Sequence, residues 1–459
     1  ALQSVVDRHD ALRTAIHWNG LTDPVQVVWR RATLEVETVE PGTDTGDVAA
    51  YLRERYDPRR CRLDLTRAPL MRLAVCRDAA NDRWLMVQLT HHLAVDFISW
   101  DVMRHEIHSH LRGETGTLPS PPRYREFVDR VLRTGSEAAG RAYFAALVGD
   151  VEDPTLPYGM AEVHGDGSGI AEARSEPDQA LIDRLRDQAR GRGVSTASLF
   201  HLAWAQVLAR LSDRDDVVFG TVLSGRMRAG TETDGAMGLF INTLPFRVDT
   251  GACSVADGVL RAHAQLLQLL PHDATSVTVA KEQSGIAASA PLFSALLNYH
   301  HGRAAPHVPT RPGEVFPGVR SLALANRTNY PLVLTVKETA ASVALTVQIH
   351  GGRDPARVCR YVETALAEIA DALDRDPDAP LLGLDVLPEP ERRRLLDDQG
   401  GAGKDCSSPH SLHRIFETQA ARRPDAVALT QDGQTLSYRD LNIRANRLAH
   451  RLRALGAGP

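Results

Sequence analysis

Two adjacent histidines and an aspartate four residues on, in His91-His92-Leu93-Ala94-Val95-Asp96, are the residues of this chain best suited to chemistry. An imidazole titrates near pH ~6.5, so it readily accepts or shares a proton when a nucleophile such as an amine attacks a carbonyl. It needs a fixed orientation, which a carboxylate or the backbone usually supplies. The motif follows an apolar run at 84–90 and precedes a helical pattern with Ile98, Val102, Met103 and Ile107 on one face, so it sits at a strand-to-helix junction. Neighbouring strand residues face opposite sides. His91 and His92 are therefore expected to do different jobs, one directed at substrate and the other buried as support. Asp96 reads equally as the N-cap of the helix that follows, and the histidines as packing residues. Metal ligation is not expected, because the histidines diverge and no further ligand cluster accompanies them. His300-His301 is a second doublet, but Ala305 stands where its acid would be, so no site is assigned there.

The surrounding pattern mixes strands and helices. A hairpin is expected from runs at 71–76 and 84–90, separated by Asp78-Ala79-Ala80-Asn81-Asp82. Further strands are expected at 25–29, 34–39, 216–223, 240–248, 292–299, 330–337 and 342–349. Helices are expected at 47–56, 124–147, 178–190, 195–211, 255–270 and 356–373. The stretch 151–169, rich in Pro, Gly and Asp, reads as a linker between lobes, and 397–409 as a flexible linker to a new unit. The fold class is therefore α/β, or α+β.

Composition narrows the function. With 459 residues the chain exceeds one usual core. A net charge of −5, spread along the chain, excludes the clustered basic face of a nucleic-acid or membrane-surface protein. Arg392-Arg393-Arg394, flanked by acids, reads as a solvated helix face. The five cysteines (Cys61, Cys76, Cys253, Cys359, Cys406) form no CxxC pair, so no disulfide framework or zinc site is indicated and a reducing cytoplasm is expected. No signal pattern and no apolar run of about 18 residues is present. Gly401-Ala402-Gly403-Lys404 is rejected as a phosphate loop, since Asp398 and Asp405 occupy the places of a required Gly and Ser or Thr.

Several segments, in order, resemble the condensation domains of non-ribosomal peptide synthetases, over residues 1 to about 395. The histidine motif resembles the family's HHxxxDG. Arg8-His9-Asp10-Ala11-Leu12-Arg13-Thr14 is similar to an RHEALRT-type segment, with Asp for Glu. Tyr56-Asp57 and Leu63-Asp64-Leu65-Thr66-Arg67-Ala68-Pro69-Leu70 resemble the stretch before the central hairpin. Phe219-Gly220-Thr221-Val222-Leu223-Ser224-Gly225-Arg226 resembles FGxxxSGR, and Gly238-Leu239-Phe240-Ile241-Asn242-Thr243-Leu244-Pro245-Phe246-Arg247 resembles GxFxNTLPLR. Phe97 departs from the pattern by replacing the motif's glycine. Leu412-His413-Arg414-Ile415-Phe416-Glu417 and Leu436-Ser437-Tyr438-Arg439-Asp440-Leu441-Asn442 are similar to the opening of an adenylation domain. That favours the condensation branch over the related epimerization domains, which Ser99-Trp100 slightly resembles.

The resemblance implies two chloramphenicol-acetyltransferase-like lobes in a V, 1–150 (lacking its opening strand and helix) and 151–392. A linker at 393–409 and an adenylation fragment at 410–459 would follow. It implies an acyltransferase that forms an amide between a carrier-bound acyl or peptidyl thioester and a carrier-bound aminoacyl acceptor. The alternatives are a dual condensing and epimerizing domain, or a silent docking domain. His92 would be the catalytic or substrate-positioning group and His91 its support. Asp96 would pair with Arg226 to hold the loop, with Phe97, Asn242 and Ser224 lining the cleft. The domain itself would bind no cofactor and no metal. Phosphopantetheine arms would come from upstream and downstream carrier domains beside the adenylation domain.

Overall fold

Alternation of apolar residues along residues 71–76 decides how the first lobe is layered. In the computed structural model, Met71 and Leu73 enter one cluster with Val5, Val6, Leu12, Ala94, Val95 and Met103. Ala74 and Cys76, on the opposite face, join Val48, Leu52, Tyr56 and Leu85. The elements in chain order are α1 (Leu2–Arg8), the hairpin β1 (Thr14–His17) and β2 (Val25–Val28), β3 (Val36–Val39), α2 (Val48–Arg55), β4 (Met71–Asp78), β5 (Arg83–Thr90) and α3 (Phe97–Arg112). The sheet order is β3-β4-β5, with β3 parallel and β5 antiparallel to β4. Residues 43–44, 136, 162–168, 227–234, 252, 302–313, 317, 324–327, 400–410, 432–433 and 457–459 lie outside the described residues.

The helix expected over 124–147 is two helices, α4 (Tyr124–Thr134) and α5 (Glu137–Val148), interrupted at Gly135. Helix α5, placed in the first lobe by the sequence reading, sends Phe144 and Val148 into the core of the second. That core is built on a six-stranded sheet of order β6-β13-β12-β9-β7-β8. The elements of this lobe are β6 (Ile170–Ser175), α6 (Gln179–Gly191), α7 (Thr196–Ser212), β7 (Asp216–Ser224), β8 (Ile241–Asp249), α8 (Val255–Leu269), α9 (Val277–Lys281), β9 (Ala295–His301), the short pair β10 (Glu314–Phe316) and β11 (Val319–Arg320), β12 (Leu332–Glu338), β13 (Val343–His350) and α10 (Pro355–Arg375). Strand β6 directly follows the stretch read as a linker, whose residues 162–168 lie outside the description. Pro245 is tolerated in β8 because that strand is an edge. Helix α7 is apolar nearly all round and fully buried at Phe200 and Trp204.

Strands β7, β9 and β12 run parallel, so their C-terminal ends lie together at one end of the sheet. From that end residues 235–240 cross to the first lobe, where Met237 joins the cluster around Met103. Residues 1–388 make one unit and 389–459 a second. The second contains α11 (Glu389–Gln399), α12 (Leu412–Arg422), a hairpin of β14 (Val427–Gln431) and β15 (Gln434–Ser437), and α13 (Tyr438–Ala454), whose N-cap Ser437 accepts from Asp440 N at 3.1 Å. Residues 393–399, expected as linker, are therefore helical. The rest of that linker and the rejected phosphate loop lie outside the described residues.

Candidate active site

The histidine motif is a tight turn because three constraints meet in six residues. His91 N donates to Leu70 O at 3.0 Å, prolonging the β4–β5 ladder, and Ala94 N donates back to His91 O at 3.1 Å. Ala94 and Val95 then anchor the turn in the core. Asp96 ends it as the N-cap of α3, accepting from Ser99 N at 2.7 Å and from Ser99 Oγ at 2.7 Å. His92 is left on the exposed side and His91 half-buried.

The two rings hold opposite tautomers. His92 Nδ1 lies 2.8 Å from Val95 O, an acceptor, so Nδ1 carries the proton and Nε2 keeps its lone pair. His91 Nδ1 accepts from Leu93 N at 3.2 Å, so its proton sits on Nε2. Burial, reinforced by the neighbouring His92, holds the His91 pKa below the usual imidazole value and keeps that ring neutral.

Asp96 is both a helix cap and an ion-pair partner. It is 1% exposed, and Arg226 reaches it with Nη2 at 3.2 Å from Oδ1 and Nε at 3.3 Å from Oδ2. Arg226 also donates to Ala236 O at 2.9 Å and stands over the Phe240 ring at 3.7 Å. The crossing segment completes the lock: Asp96 N donates to Gly238 O at 3.1 Å, Phe240 N to Asp96 Oδ2 at 3.4 Å, and Gly238 N to Ser99 Oγ at 3.1 Å. Tyr124 donates to Leu239 O at 2.7 Å, and burial together with the Asp96 charge pushes its pKa up to about 12, so it remains a donor. One carboxylate thus joins α3 of the first lobe to the crossing of the second.

Of the other expected site residues, Phe97 opens α3 and is 38% exposed. Its ring packs on His300 at 4.9 Å, and the Lys337 ammonium lies 5.3 Å from the ring centre. Burial and the Lys337 charge hold the His300 pKa below the ordinary value. Of the doublet dismissed for want of an acid, His300 therefore faces the motif from the opposite lobe, while His301 Nδ1 pairs with Glu338 Oε2 at 3.0 Å. Ser224 ends β7 with Oγ buried and without a hydrogen-bond partner among the described residues. Asn242 differs from a cleft-lining group in its polar atoms, which are committed elsewhere. Its Nδ2 donates to Asp273 O (2.8 Å) and Thr275 O (2.7 Å), and its Oδ1 accepts from Thr243 N (2.9 Å).

Sequence reading missed the supports behind α3. Arg8 Nε and His9 Nε2 hold Glu106 at 3.1 and 3.0 Å; burial raises that carboxyl, but its two partners outweigh burial and hold it below the ordinary value. Asp10 accepts from Tyr124 N at 2.9 Å, at the start of α4. Ser99 was the one partner with a local signal, standing three residues beyond a cap. Among the described residues no group of His, Cys, Asp and Glu could hold a metal ion, and no helix is long and apolar enough to cross a membrane.

Comparison with known proteins identifies the family of the chain and its fold. Residues 1–396 match the condensation-domain family model, and residues 416–459 that of AMP-binding enzymes. The chain is 42% identical over 456 residues to malpinin synthetase of Mortierella alpina, covering 99% of this chain and 6% of that protein. Tyrocidine synthase 3 of Brevibacillus parabrevis is 26% identical over all of this chain, which spans 7% of it. The chain thus spans less than a tenth of these relatives. The same fold occurs in a four-domain nonribosomal peptide synthetase bound to AMP and glycine, with TM-score 0.70, 16% identity and coverage of 99% of this chain and 36% of the other. It also occurs in the first condensation domain of the calcium-dependent antibiotic synthetase, in complex with a substrate analogue, with TM-score 0.64, 18% identity and coverage of 84% and 89%. A histidine turn locked by a cross-lobe carboxylate, on this fold and in this order of segments, places the chain in the condensation-domain family of the non-ribosomal peptide synthetases, followed by the start of an AMP-binding domain.

Proposed function

We propose that His92 is the group that handles the proton in this domain's amide-bond formation, as an acyltransferase acting on two carrier-bound substrates. The observation that carries the reading is the His92 ring itself: exposed, oriented by Val95 O, with Nε2 unprotonated in the neutral state. The amine nitrogen of the acceptor attacks the carbonyl carbon of the donor thioester, and a C–N bond forms. Nε2 takes the ammonium proton as the tetrahedral centre develops. The centre then collapses with loss of the thiolate, to which the imidazolium can return that proton. His91, neutral and held in the other tautomer, does not compete for it.

Both substrates would arrive on phosphopantetheine arms of carrier domains upstream and downstream, with the adjoining adenylation domain loading the acceptor. Holding two tethered ends together converts aminolysis into a local step, worth up to ~7–11 kcal/mol in ideal cases. The Asp96–Arg226 pair would support the turn without touching substrate. The described cysteines are free thiols, which suits work in the cytoplasm.

The test is mass spectrometry of carrier-bound products after mixing the domain with donor- and acceptor-loaded carriers. His92→Ala should lower single-turnover amide formation about 10²-fold or more, in the range of a lost acid–base group, with an unchanged unfolding temperature. Undiminished product from that variant would overturn the assignment.

A further inference from the structure

We infer that the Phe97 ring, seated on His300 of the opposite lobe, is the wall that limits the size of the acceptor amine's side chain. The inference deepens the reading of His92 as the group meeting that amine, and rests on it. Val95 O holds the His92 ring at 2.8 Å, and Phe97 stands two residues beyond Val95, its Cα at most ~7.6 Å from that of Val95. Between His92 and Phe97 every residue is buried or half-buried, so the next exposed side chain along the turn that an amine at Nε2 meets is that of Phe97.

What stands there is a composite surface. Phe97 is the first residue of α3, so its backbone is fixed by the Asp96 cap and the Arg226 pair behind it. His300 and Lys337 are directly opposed residues of the parallel strands β9 and β12 and point to the same side. Both reach the Phe97 ring, at 4.9 and 5.3 Å. The ring is thus backed by the second lobe and cannot swing away without losing that stack. A glycine at this place has no side chain to meet His300, so the ring's share of this surface would be lost. A benzyl group removed from a substrate pocket changes selectivity more than a single methylene, which alone is worth 10–200-fold.

The experiment compares wild type with Phe97→Gly, Phe97→Ala and Phe97→Leu, using carriers loaded with alanine, leucine or phenylalanine as acceptor and, separately, with donors of graded size. Removing the ring should raise the kcat/KM ratio of phenylalanyl to alanyl acceptor at least tenfold, chiefly through KM, while Phe97→Leu stays near wild type. His300→Ala, which removes only the backing, should shift the ratio in the same direction by less. Donor preference should stay unchanged. An unaltered acceptor ratio, or a change confined to donors, overturns the wall. Calorimetric binding of alanyl- and phenylalanyl-pantetheine to the same variants reads the wall with no turnover. Absence of product from wild type would defeat the chemical reading, while that binding series would still decide the wall.

Discussion

A buried carboxylate facing one guanidinium is stable only while both are present. Asp96 and Arg226 are 1% and 9% exposed in their side chains, so removing Arg226 takes the ion-pair partner from a buried carboxylate, at a cost of about 3–5 kcal/mol. Arg226→Ala should lower the unfolding free energy by that amount in urea titration and abolish amide formation. Arg226→Lys should recover only part of both, because an ammonium cannot present the two-pronged contact at 3.2 and 3.3 Å. Asp96→Asn is the informative counterpart. Asparagine caps helices as well as aspartate does, so a variant that keeps wild-type stability would show that the cap matters and the ion pair does not. We expect it to be destabilised, since the charge-assisted contacts of Arg226 on both Asp96 oxygens would be lost.

At the scale of elements, the crossing at residues 235–240 decides whether the site exists. Gly238 has φ +152°, and a Cβ there would meet Tyr124 Cδ2 at 2.1 Å. The conformation and the clash act together, so Gly238→Ala should destabilise by about 1–3 kcal/mol and reduce product formation in parallel, because Gly238 O and Phe240 N both reach Asp96. Measured stability equal to wild type would mean that this segment does not press on α4 as closely as the geometry requires. A crossing of this kind is held by contacts from both lobes, so its energetics belong to their junction.

Across the whole molecule, His201 connects pH to stability. It lies inside the second lobe with Nδ1 2.7 Å from Ala197 O and Nε2 2.8 Å from Thr221 Oγ1. Burial, against the opposing help of the Ala197 carbonyl, brings its pKa down to about 4. The unfolded chain takes up this proton near pH ~6.5, and the folded one does so only near 4. Between those values the unfolded state binds more protons, so the stability is whole above about pH 6.5 and is lost as pH falls toward 4. The loss amounts to about 3 kcal/mol at ~1.4 kcal/mol per tenfold change in proton concentration. His201→Gln should show a shallower fall over that window than wild type in urea unfolding at pH 7, 5.5 and 4.5. Parallel curves would assign the acid sensitivity to other groups.

The strand-to-helix junction at the motif, the hairpin of β4 and β5, and most later strands and helices were legible in the chain because alternation and 3.6-residue periodicity are local properties. The different exposure of His91 and His92 followed from the same alternation, and Asp96 as a cap from its place before an apolar helix. The break at Gly135 and the strand β6 escaped, since a single glycine and a half-exposed strand perturb the pattern little. Tautomers were out of reach, because they depend on which atom of Val95 or Leu93 meets each ring. So was the place of His300: it reaches the motif through its ring contact with Phe97, a partner on the other lobe, and not through an acid nearby in sequence. The local sequence therefore determines a turn carrying a histidine, and only the packing of the second lobe against it places Arg226, Phe240 and His300 around it. Contacts between lobes depend on how whole faces pack, and no short stretch of residues encodes that.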